Sequence, residues 1–391
     1  MTRVAFFADS FHEVNGVALT SRMLERHAQE HGYPFLSVHT GPETRCWDAG
    51  SVRRVELALG PASMWLEADL RFDFFCMRHG KRLLGELTRF RPDVVHVTGP
   101  SHQGMLGVWA SWRMGVPLVA SWHTNVHEYS GRRMRQMLSW LPSPMADSVG
   151  RYSAWATLAA TLHFYRYAEA TLAPNPELTA MLERATGNPS TMMKRGVDTA
   201  LYHPSKRRRD DSVVRIGYAG RLSPEKGVRW FKTVEEELQL ADLANYEIWI
   251  AGHGNEAEWL RAHLRRKQIP GVLKGEALAE FYANLDVFAF PSETDTYGNV
   301  VQEAMASGVP CVVTSGGGPK YLVRPEIDGL VASDERAFAQ ACVRLVGDAK
   351  LRARLARGAR EAAESATWER VFEGVYRVYA GCTSQPIGKV A

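Results

Sequence analysis

Several features that would each point to a particular function are missing from this sequence of 391 residues. It contains no run of 18 apolar residues, so no transmembrane helix is predicted. Its five cysteines are scattered and lack C-x-x-C spacing, which argues against a disulfide framework and favours a reducing compartment. The net charge of +4 is small for this length and indicates no concentrated basic face, so nucleic acid is not an expected partner.

The motifs of several enzyme classes are also absent. No G-x-x-x-x-G-K-[ST] string occurs, which argues against a P-loop nucleoside triphosphatase. There is no H-E-x-x-H string, no Cys/His cluster and no G-x-S-x-G elbow, so neither a metal site nor a serine hydrolase is predicted. The apolar run near the N-terminus is too short for a signal peptide, and we therefore expect a cytoplasmic protein.

What the sequence does contain is a regular alternation of strand-like and helix-like segments. This rhythm is typical of an α/β fold, in which a mostly parallel sheet is covered by helices on both faces. The strand-like runs lie at 4–8, 35–39, 93–97, 118–121, 170–173, 214–219, 246–251, 287–290 and 310–313, with a helical pattern at 20–31 and a helix starting near residue 299.

The length predicts two domains rather than one core. We expect an N-terminal Rossmann-like domain at 1–203, a linker at 204–212, a second Rossmann-like domain at 213–370, and a C-terminal helix and tail at 371–391. The linker assignment depends on a polar, charged stretch without periodicity. Its four consecutive basic residues, 206–209, are interpreted as solvated, with contact to a phosphate as the alternative.

A tight loop with two cations follows the strand at 214–219. Arg221 and Lys226 lie between Gly220 and Gly227, and two fixed cations on such a loop suit a diphosphate. The alternative is surface charge at a turn. The helix that begins near Asn299 would present free backbone N–H groups and the positive end of its dipole to the same region.

Two acids flank the start of that helix. Glu303 lies one turn inside it, where a carboxylate can bind the vicinal hydroxyls of a ribose, and the alternative is a solvated helix residue. Asp295 lies eight positions earlier on the loop, where it can accept a hydrogen bond from a sugar hydroxyl. Glu293 is nearby but out of this spacing, so Asp295 is preferred.

The N-terminal half offers fewer candidates. Asn15 and Gly16 follow the first strand, and a glycine there lets the backbone approach a ligand closely. His123 ends a strand, where a site role and a structural role are comparable alternatives. His102 and His127 are weaker candidates.

Four segments occur in the order typical of one known family. They are Val14-Asn15-Gly16-Val17, His123-Thr124, the loop at 220–227 and the stretch from Asp295 to Glu303. With these motifs the chain resembles the retaining, nucleotide-sugar-dependent glycosyltransferases of family 4. That family has the GT-B fold, in which two Rossmann-like domains face each other across a cleft. The C-terminal helix is then expected to cross back to the N-terminal domain.

The resemblance implies a role for each motif. Arg221 and Lys226 would hold the donor diphosphate, with Gly220 in the same loop. Asp295 would contact the donor sugar, Glu303 the ribose, and His123 would lie near the sugar. Asn15 and Gly16 would form the N-terminal glycine loop. Backbone N–H groups would come from the segment between the acids, at Thr296, Tyr297, Gly298, Asn299 and Val300.

Within the family, two strings are most similar to GDP-mannose-dependent α-mannosyltransferases that act on lipids. They are the stretch at 292–308 and Arg195-Gly196-Val197-Asp198. The resemblance implies transfer of a hexose, with mannose favoured, to a lipid or glycan hydroxyl without a cofactor or metal. Glucosyl and sulfoquinovosyl transfer from a UDP-sugar is the alternative. The sequence departs from the family where its G-G-x-x-E-like motif ends in Tyr321 instead of Glu.

The acceptor is the least determined part of the function. Two segments mix basic and aromatic residues, 131–141 and 64–84. The first, and part of the second, are interpreted as basic amphipathic helices, which can lie on anionic lipid at the inner face of the plasma membrane. The alternative is a helix packed on the core with solvated arginines. A nucleotide-sugar epimerase and a non-catalytic sugar-nucleotide-binding protein are the remaining alternatives for the function.

Overall fold

The computed structural model describes residues 1–13, 15–61, 63–67, 70–138, 140 and 142–384. Two compact units are present. The first contains Met1–Lys194 together with the chain from Val371 onward, and the second contains Arg195–Arg370. Within the described ranges no helix combines the length and apolar character needed to cross a bilayer.

Among its described residues the first unit has ten strands and six α-helices before the chain enters the second unit. The strands are β1 (Val4–Ala8), β2 (Phe35–Gly41), β3 (Arg45–Ala49), β4 (Val52–Ala58), β5 (Ser63–Glu67), β6 (Leu70–Asp73), β7 (Val94–Val97), β8 (Leu118–Ser121), β9 (Ala170–Ala173) and β10 (Ser190–Met192). The helices are α1 (Gly16–Glu30), α2 (Gly80–Phe90), α3 (His102–Met114), α4 (Val126–Met137), α5 (Ser143–Tyr165) and α6 (Pro176–Thr186).

Eight of these strands form one sheet, in the order β10-β9-β8-β7-β1-β2-β4-β3. Pairing is parallel except between β3 and β4. All five residues of β1 are buried, as are all four of β7 and β8, so both faces of these strands are covered. Such burial explains their uninterrupted apolar sequences, which is the pattern that predicted them.

The second unit has a smaller sheet of the same kind. Its strands are β11 (Val214–Ala219), β12 (Tyr246–Ala251), β13 (Lys267–Gly271), β14 (Val287–Phe290), β15 (Cys311–Thr314) and β16 (Gly329–Ala332). Its helices are α7 (Trp230–Leu240), α8 (Ala257–His263), α9 (Gly275–Ala283), α10 (Asn299–Ala306), α11 (Glu335–Gly347) and α12 (Ala349–Glu364). The sheet order is β13-β12-β11-β14-β15-β16, with every pairing parallel.

A last helix, α13 (Trp368–Ser384), brings the chain back to the first unit. Its buried residues are Phe372, Val375 and Tyr379, spaced by three and four positions along one face. The Tyr379 ring lies 5.6 Å from the His96 ring on β7. The predicted return of the C-terminal helix is therefore present, and residues 385–391 lie outside the described residues.

Part of the segment at 64–84 was predicted as a helix, and only its end is helical. It contains the antiparallel pair of β5 and β6, then a short 3-10 turn (Cys76–His79), and only then the first turns of α2. The buried Asp73 carboxylate ends the hairpin by accepting hydrogen bonds from the backbone N–H groups of Gly60 (2.8 Å) and Phe75 (3.0 Å). The aromatic residues of this segment have high strand propensity, which the spacing of its basic residues obscured.

The predicted linker at 204–212 lies within the second unit, and the first unit ends at Lys194 rather than at residue 203. All four basic residues form ion pairs, Lys206 with Glu276 and Arg208 with Glu280 among them. Arg207 contacts Asp286 at 2.8 Å, and Arg209 is paired with the other oxygen of the same carboxylate. These pairs and the contact of Tyr202 with the second core hold the segment against that unit.

Candidate active site

The order in which strands are added to the sheet of the second unit changes direction between β11 and β14. Strands β12 and β13 follow β11 toward one edge of the sheet, and β15 and β16 follow β14 toward the opposite edge. In open α/β sheets such a switch point opens a crevice at the carboxyl ends of the strands, where ligands bind. The loops that follow β11 and β14 contain the residues predicted to bind the diphosphate and the sugar.

Two of these predicted residues are in direct contact. The Lys226 ammonium nitrogen lies 2.8 Å from each carboxylate oxygen of Asp295. Lys226 belongs to a short 3-10 turn, Pro224–Lys226, in the loop after β11, and Asp295 lies in the loop after β14. The Lys226 and Asp295 side chains are 14% and 25% exposed, so the pair is partly shielded from water.

Arg221 lies at the start of the same loop with an exposed side chain. Its carbonyl oxygen accepts a hydrogen bond from the buried Tyr218 hydroxyl at 2.9 Å, which fixes the loop backbone. Gly220 has φ 153°, and a Cβ atom there would lie 2.8 Å from that hydroxyl oxygen. Among the described residues no carboxylate lies within salt-bridge distance of Arg221, so its charge is available to an anion.

Helix α10 begins immediately beyond these loops. Gly298 precedes it in the left-handed region, with φ 98°, which favours glycine. Asn299 and Val300 are its first residues and are partly exposed. The first backbone N–H groups of a helix have no partner within the helix, and they add to the positive end of the dipole. An anion placed here would meet two cations and a helix N-terminus.

The loop between the two acids rests on a glycine-rich segment. The backbone N–H of Gly318 donates to the Asp295 carbonyl oxygen at 2.7 Å. A Cβ atom on Gly318 would lie 1.9 Å from the carbonyl oxygen of Thr296. Glycine is therefore required for this close approach. Although the family motif ends in Tyr321 instead of Glu, its glycines support the backbone beside Asp295.

Glu303 lies in the second turn of α10, next to two tyrosines that were not predicted. The Tyr282 hydroxyl donates to its carboxylate at 3.0 Å. Burial raises the pKa of Glu303 to about 7, although hydrogen bonds from Tyr282 and Tyr202 lower it. Part of the acceptor capacity of the carboxylate remains after these bonds, and a ribose hydroxyl can use it.

A further residue of this region, Arg195, was assigned no role from the sequence. Its guanidinium group is buried and donates to the Asn299 side-chain oxygen at 3.1 Å. Its carbonyl oxygen accepts hydrogen bonds from the Tyr297 hydroxyl (3.0 Å) and the Gln302 amide (2.9 Å). Burial lowers the pKa of Arg195 to about 10, which keeps it cationic at neutral pH. Its position at the start of the Arg-Gly-Val-Asp string was the feature of the sequence that could have indicated a role for Arg195.

The first unit has its own switch point, between β1 and β7. Asp9 follows β1, its backbone N–H donates to the Thr98 hydroxyl at 2.8 Å, and its carboxylate accepts from the Ser101 hydroxyl. Burial raises the pKa of Asp9 to about 7. This carboxylate was not predicted as a site residue, although its position directly after the first strand was visible in the sequence.

Asn15 and Gly16 lie close to this switch point. The Asn15 side chain caps α1 by accepting a hydrogen bond from the Ala18 backbone N–H at 2.8 Å, and Gly16 is the first residue of the helix. Val14, the first residue of the predicted glycine motif, lies outside the described residues. Asn15 thus has a structural role that is compatible with the predicted approach of a ligand.

His123 lies just beyond β8, is 8% exposed, and its Nε2 is 2.8 Å from the Ser121 hydroxyl. The weaker candidates are elsewhere in the first unit. His102 begins α3 with Nε2 at 3.1 Å from the Thr40 hydroxyl, and burial lowers its pKa to about 4. His127 lies on α4, edge-on to Trp122 with 6.3 Å between ring centroids.

Both halves of the chain match known family models. Residues 14–201 match the model described as Glycosyltransferase Family 4, and residues 213–348 match the one described as Glycosyl transferases group 1. A GDP-mannose-dependent alpha-mannosyltransferase of Mycolicibacterium smegmatis is 32% identical over 393 residues, which cover 95% of this chain and 95% of the relative. The chain belongs to glycosyltransferase family 4. The predicted family and enzyme class are confirmed.

Solved structures of similar glycosyltransferases confirm the predicted GT-B fold. The sucrose-phosphate synthase of Thermosynechococcus elongatus is 17% identical and superposes with a TM-score of 0.72, over 97% of this chain and 99% of that chain. Anabaena HepE in complex with UDP and glucose is 16% identical with a TM-score of 0.65, over 97% of this chain and all of that chain (100%). At these identities the likeness shows the fold alone, and the roles of individual residues in this glycosyltransferase stay predictions.

Proposed function

We propose that this glycosyltransferase transfers mannose from GDP-mannose to a hydroxyl group of a membrane lipid or glycolipid, with retention of the anomeric configuration. The observation that supports the donor most strongly is the 32% identity with a GDP-mannose-dependent alpha-mannosyltransferase over 95% of both chains. A Mycobacterium tuberculosis relative with the same name is also 32% identical, and it is matched over 94% of its length.

The charges at the switch point of the second unit support the binding of a nucleoside diphosphate. Arg221, Lys226 and the N-terminus of α10 place positive charge where the leaving diphosphate gathers negative charge as the glycosidic bond breaks. Because these groups supply the charge that a divalent ion often provides, we propose that the reaction needs no metal. Turnover should then be unchanged by EDTA.

The ion pair between Lys226 and Asp295 supports a direct coupling between donor binding and sugar recognition. The Lys226 ammonium group lies 2.8 Å from the Asp295 carboxylate and neutralises it. When a diphosphate binds, the ammonium group can turn to phosphate oxygens, which frees Asp295 to accept hydrogen bonds from the sugar. Binding of a nucleoside diphosphate without a sugar would leave Asp295 without either partner. We therefore propose that the complete donor binds more tightly than the diphosphate alone.

A UDP-sugar is the second candidate donor. A sulfoquinovosyl transferase of Arabidopsis thaliana is 28% identical over 73% of this chain, although the match covers only 56% of the plant protein. The donor-side residues described above would contact the diphosphate, ribose and sugar, which both donor classes share. These residues therefore do not indicate whether the site binds a guanine or a uracil nucleotide, and a direct comparison of donors is required.

The comparison of donors is a calorimetric titration of the protein with GDP-mannose, UDP-glucose, GDP and UDP. We expect GDP-mannose to bind at least about tenfold more tightly than UDP-glucose, which corresponds to about 1.4 kcal/mol. We also expect GDP-mannose to bind more tightly than GDP. Asp295→Asn serves as the matched variant and should remove the advantage of GDP-mannose over GDP. If UDP-glucose bound more tightly than GDP-mannose, the proposed donor would be a UDP-sugar instead of GDP-mannose.

The first unit has an exposed apolar surface that supports a lipid acceptor. Helices α4 and α5 pack against each other, and several large apolar side chains on and between them face solvent. Trp140 is 76% exposed and Trp155 is 64% exposed, and the exposed Arg133 lies on α4. Exposed aromatic and basic residues on the same pair of helices are suited to the interface of an anionic bilayer. The predicted segment at 131–141 thus lies partly in α4, while Ser139 and Leu141 are outside the described residues.

Vesicle co-sedimentation tests this surface. We expect the protein to sediment with vesicles that contain anionic phospholipid, and the Trp140→Ser and Trp155→Ser double variant to lose about tenfold in vesicle affinity, since each removes a large apolar group from the interface. Trp112 on α3 is similarly exposed, at 77%, and Trp112→Ser is the control that should bind as the wild type does. Absence of wild-type binding would favour a soluble acceptor.

A further inference from the structure

Three potential metal ligands lie together in the first unit, near the carboxyl ends of β2 and β4. His39 on β2 and Glu56 on β4 are register partners in neighbouring parallel strands, so their side chains lie on the same face of the sheet. His12 reaches them from the loop after β1. One ligand atom of each residue lies within 4.8 Å of the ligand atoms of the other two. Two imidazoles and one carboxylate are ligands that Zn²⁺ takes in proteins.

His39 offers a nitrogen lone pair in a buried position. Its side chain is 1% exposed, and Nδ1 lies 3.4 Å from the Thr40 carbonyl oxygen. A carbonyl oxygen only accepts, so this contact places the ring proton on Nδ1 and leaves Nε2 as the acceptor. Among the described residues Nε2 has no hydrogen-bond partner. A buried acceptor without a partner is unfavourable, and a metal ion would satisfy it.

The Glu56 carboxylate is held from two sides and is 1% exposed. Its Oε1 lies 3.1 Å from His12 Nε2, and its Oε2 is paired with Arg45 on β3. Gly41 provides the space for it, since a Cβ atom there would lie 2.1 Å from the carboxylate carbon. Carboxylates that bind metals are oriented by such partners on their second oxygen, and Oε1 is then the oxygen presented to an ion.

The two imidazole rings differ in their access to solvent. The His39 ring is stacked on Phe11, with 4.1 Å between centroids and 4° between planes, so its orientation is fixed by packing. The His12 ring stands edge-on to His39, with 5.0 Å between centroids. The His12 side chain is 54% exposed. An ion can therefore enter from the His12 side and reach two buried ligands that are already held in place.

We propose that His12, His39 and Glu56 bind one Zn²⁺ ion, with water as the fourth ligand. Zinc bonds to nitrogen and oxygen are about 2.0–2.2 Å long, so ligand atoms of a tetrahedral site lie about 3.4 Å apart. The 3.1 Å between His12 Nε2 and Glu56 Oε1 is close to this separation. The ion takes the place of the proton between these two atoms, which moves to Nδ1 of His12 or to solvent.

The ion is assigned to stability and not to glycosyl transfer, because the cations predicted to hold the diphosphate, Arg221 and Lys226, belong to the second unit. Zinc would fasten the loop after β1 to β2 and β4, just before the chain enters α1. A ligand that binds the folded chain and not the unfolded chain stabilises it by mass action. Zinc should therefore raise the melting temperature by several degrees, and EDTA should reverse this rise without changing turnover.

The test is a calorimetric titration of the full-length, metal-free protein, made without a polyhistidine tag, with ZnCl₂. We expect His12→Ala to lower zinc affinity at least about 100-fold, because one of three protein ligands is lost. His12 is half exposed, so this variant should fold as the wild type does. His39→Phe, which keeps a ring against Phe11, should have the same effect. Gly41→Ala keeps all three ligands but displaces the Glu56 carboxylate, and it should lower affinity at least about tenfold.

His31→Ala is the matched control in the same unit. His27 and His31 lie one turn apart on α1, with 4.3 Å between ring centroids, and histidines at this spacing can bind zinc themselves. We expect His31→Ala to keep the wild-type affinity of the proposed site and the zinc-dependent rise in melting temperature, and His12→Ala to lose both. The inference is overturned if the wild type binds no zinc, or if His12→Ala and His39→Phe bind it as the wild type does.

Discussion

Lys226→Ala is expected to lower turnover by about two orders of magnitude or more, and Arg221→Ala by a similar factor. The reason is the loss of a cation at the point where the diphosphate becomes more negative as the bond to the sugar breaks. Charge stabilisation of this kind is realised mainly in the transition state, so kcat should fall more than the affinity for the donor. The measurement is steady-state kinetics with a GDP-mannose donor.

A second variant separates two explanations for such a loss. Lys226→Ala also leaves the Asp295 carboxylate without its partner at 2.8 Å, and an unpaired carboxylate could repel the donor. If that were the cause, Asp295→Asn would restore the rate when added to Lys226→Ala. We expect no restoration. Lys232, which pairs with Glu236 at 3.3 Å on α7, is the control, and Lys232→Ala should be active. Near-normal turnover of Lys226→Ala would refute the diphosphate assignment.

Glu303→Gln should lower kcat/KM for the donor about 10- to 100-fold, because a carboxylate is a stronger acceptor for ribose hydroxyls than an amide oxygen. The same variant should stabilise the unliganded protein at pH 8. Burial raises the pKa of Glu303 from 4.5 to about 7, so the folded protein holds this proton where the unfolded chain has lost it. Stability therefore falls as pH rises from 4.5 to 7, by at most about 3 kcal/mol. Glutamine does not titrate and avoids this loss.

Thermal unfolding of the unliganded proteins at pH 5 and pH 8 measures the second effect. The melting temperature of Glu303→Gln should exceed that of the wild type by several degrees at pH 8, and the difference should shrink at pH 5. Glu258→Gln is the control, since the Glu258 side chain is 92% exposed on α8. If Glu303→Gln had normal kinetics with the donor, the assignment of Glu303 to the ribose site would be refuted, whatever the stability of the variant.

Much of the fold was predictable because its central strands are buried on both faces. The runs at 4–8, 118–121, 170–173, 214–219, 246–251 and 287–290 coincide with strands of the two sheets. The hairpin of β5 and β6 was missed because its end depends on Asp73, whose carboxylate binds the backbone at Gly60, 13 residues away. A bond of that kind depends on the tertiary fold and leaves no local pattern in the sequence.

The candidate site was predictable residue by residue but not as an arrangement. Lys226 and Asp295 were each assigned to the donor, yet their contact spans 69 positions and exists because β11 and β14 are neighbours in the sheet. The tyrosines around Glu303 could not be found from spacing, since Tyr282 contacts it from α9. Arg195 began a recognised string and Asp9 followed the first strand, but their burial, which makes them chemically distinctive, appears only in the folded chain.

The most direct test of the account is the reaction itself. The protein is incubated with GDP-mannose labelled with 13C at C1 and with anionic vesicles that contain hydroxyl-bearing glycolipids, and the products are followed by NMR. We expect release of GDP together with a new mannolipid whose anomeric configuration is α, as in the donor. A β-linked product, or transfer that occurs only from a UDP-sugar, would contradict it.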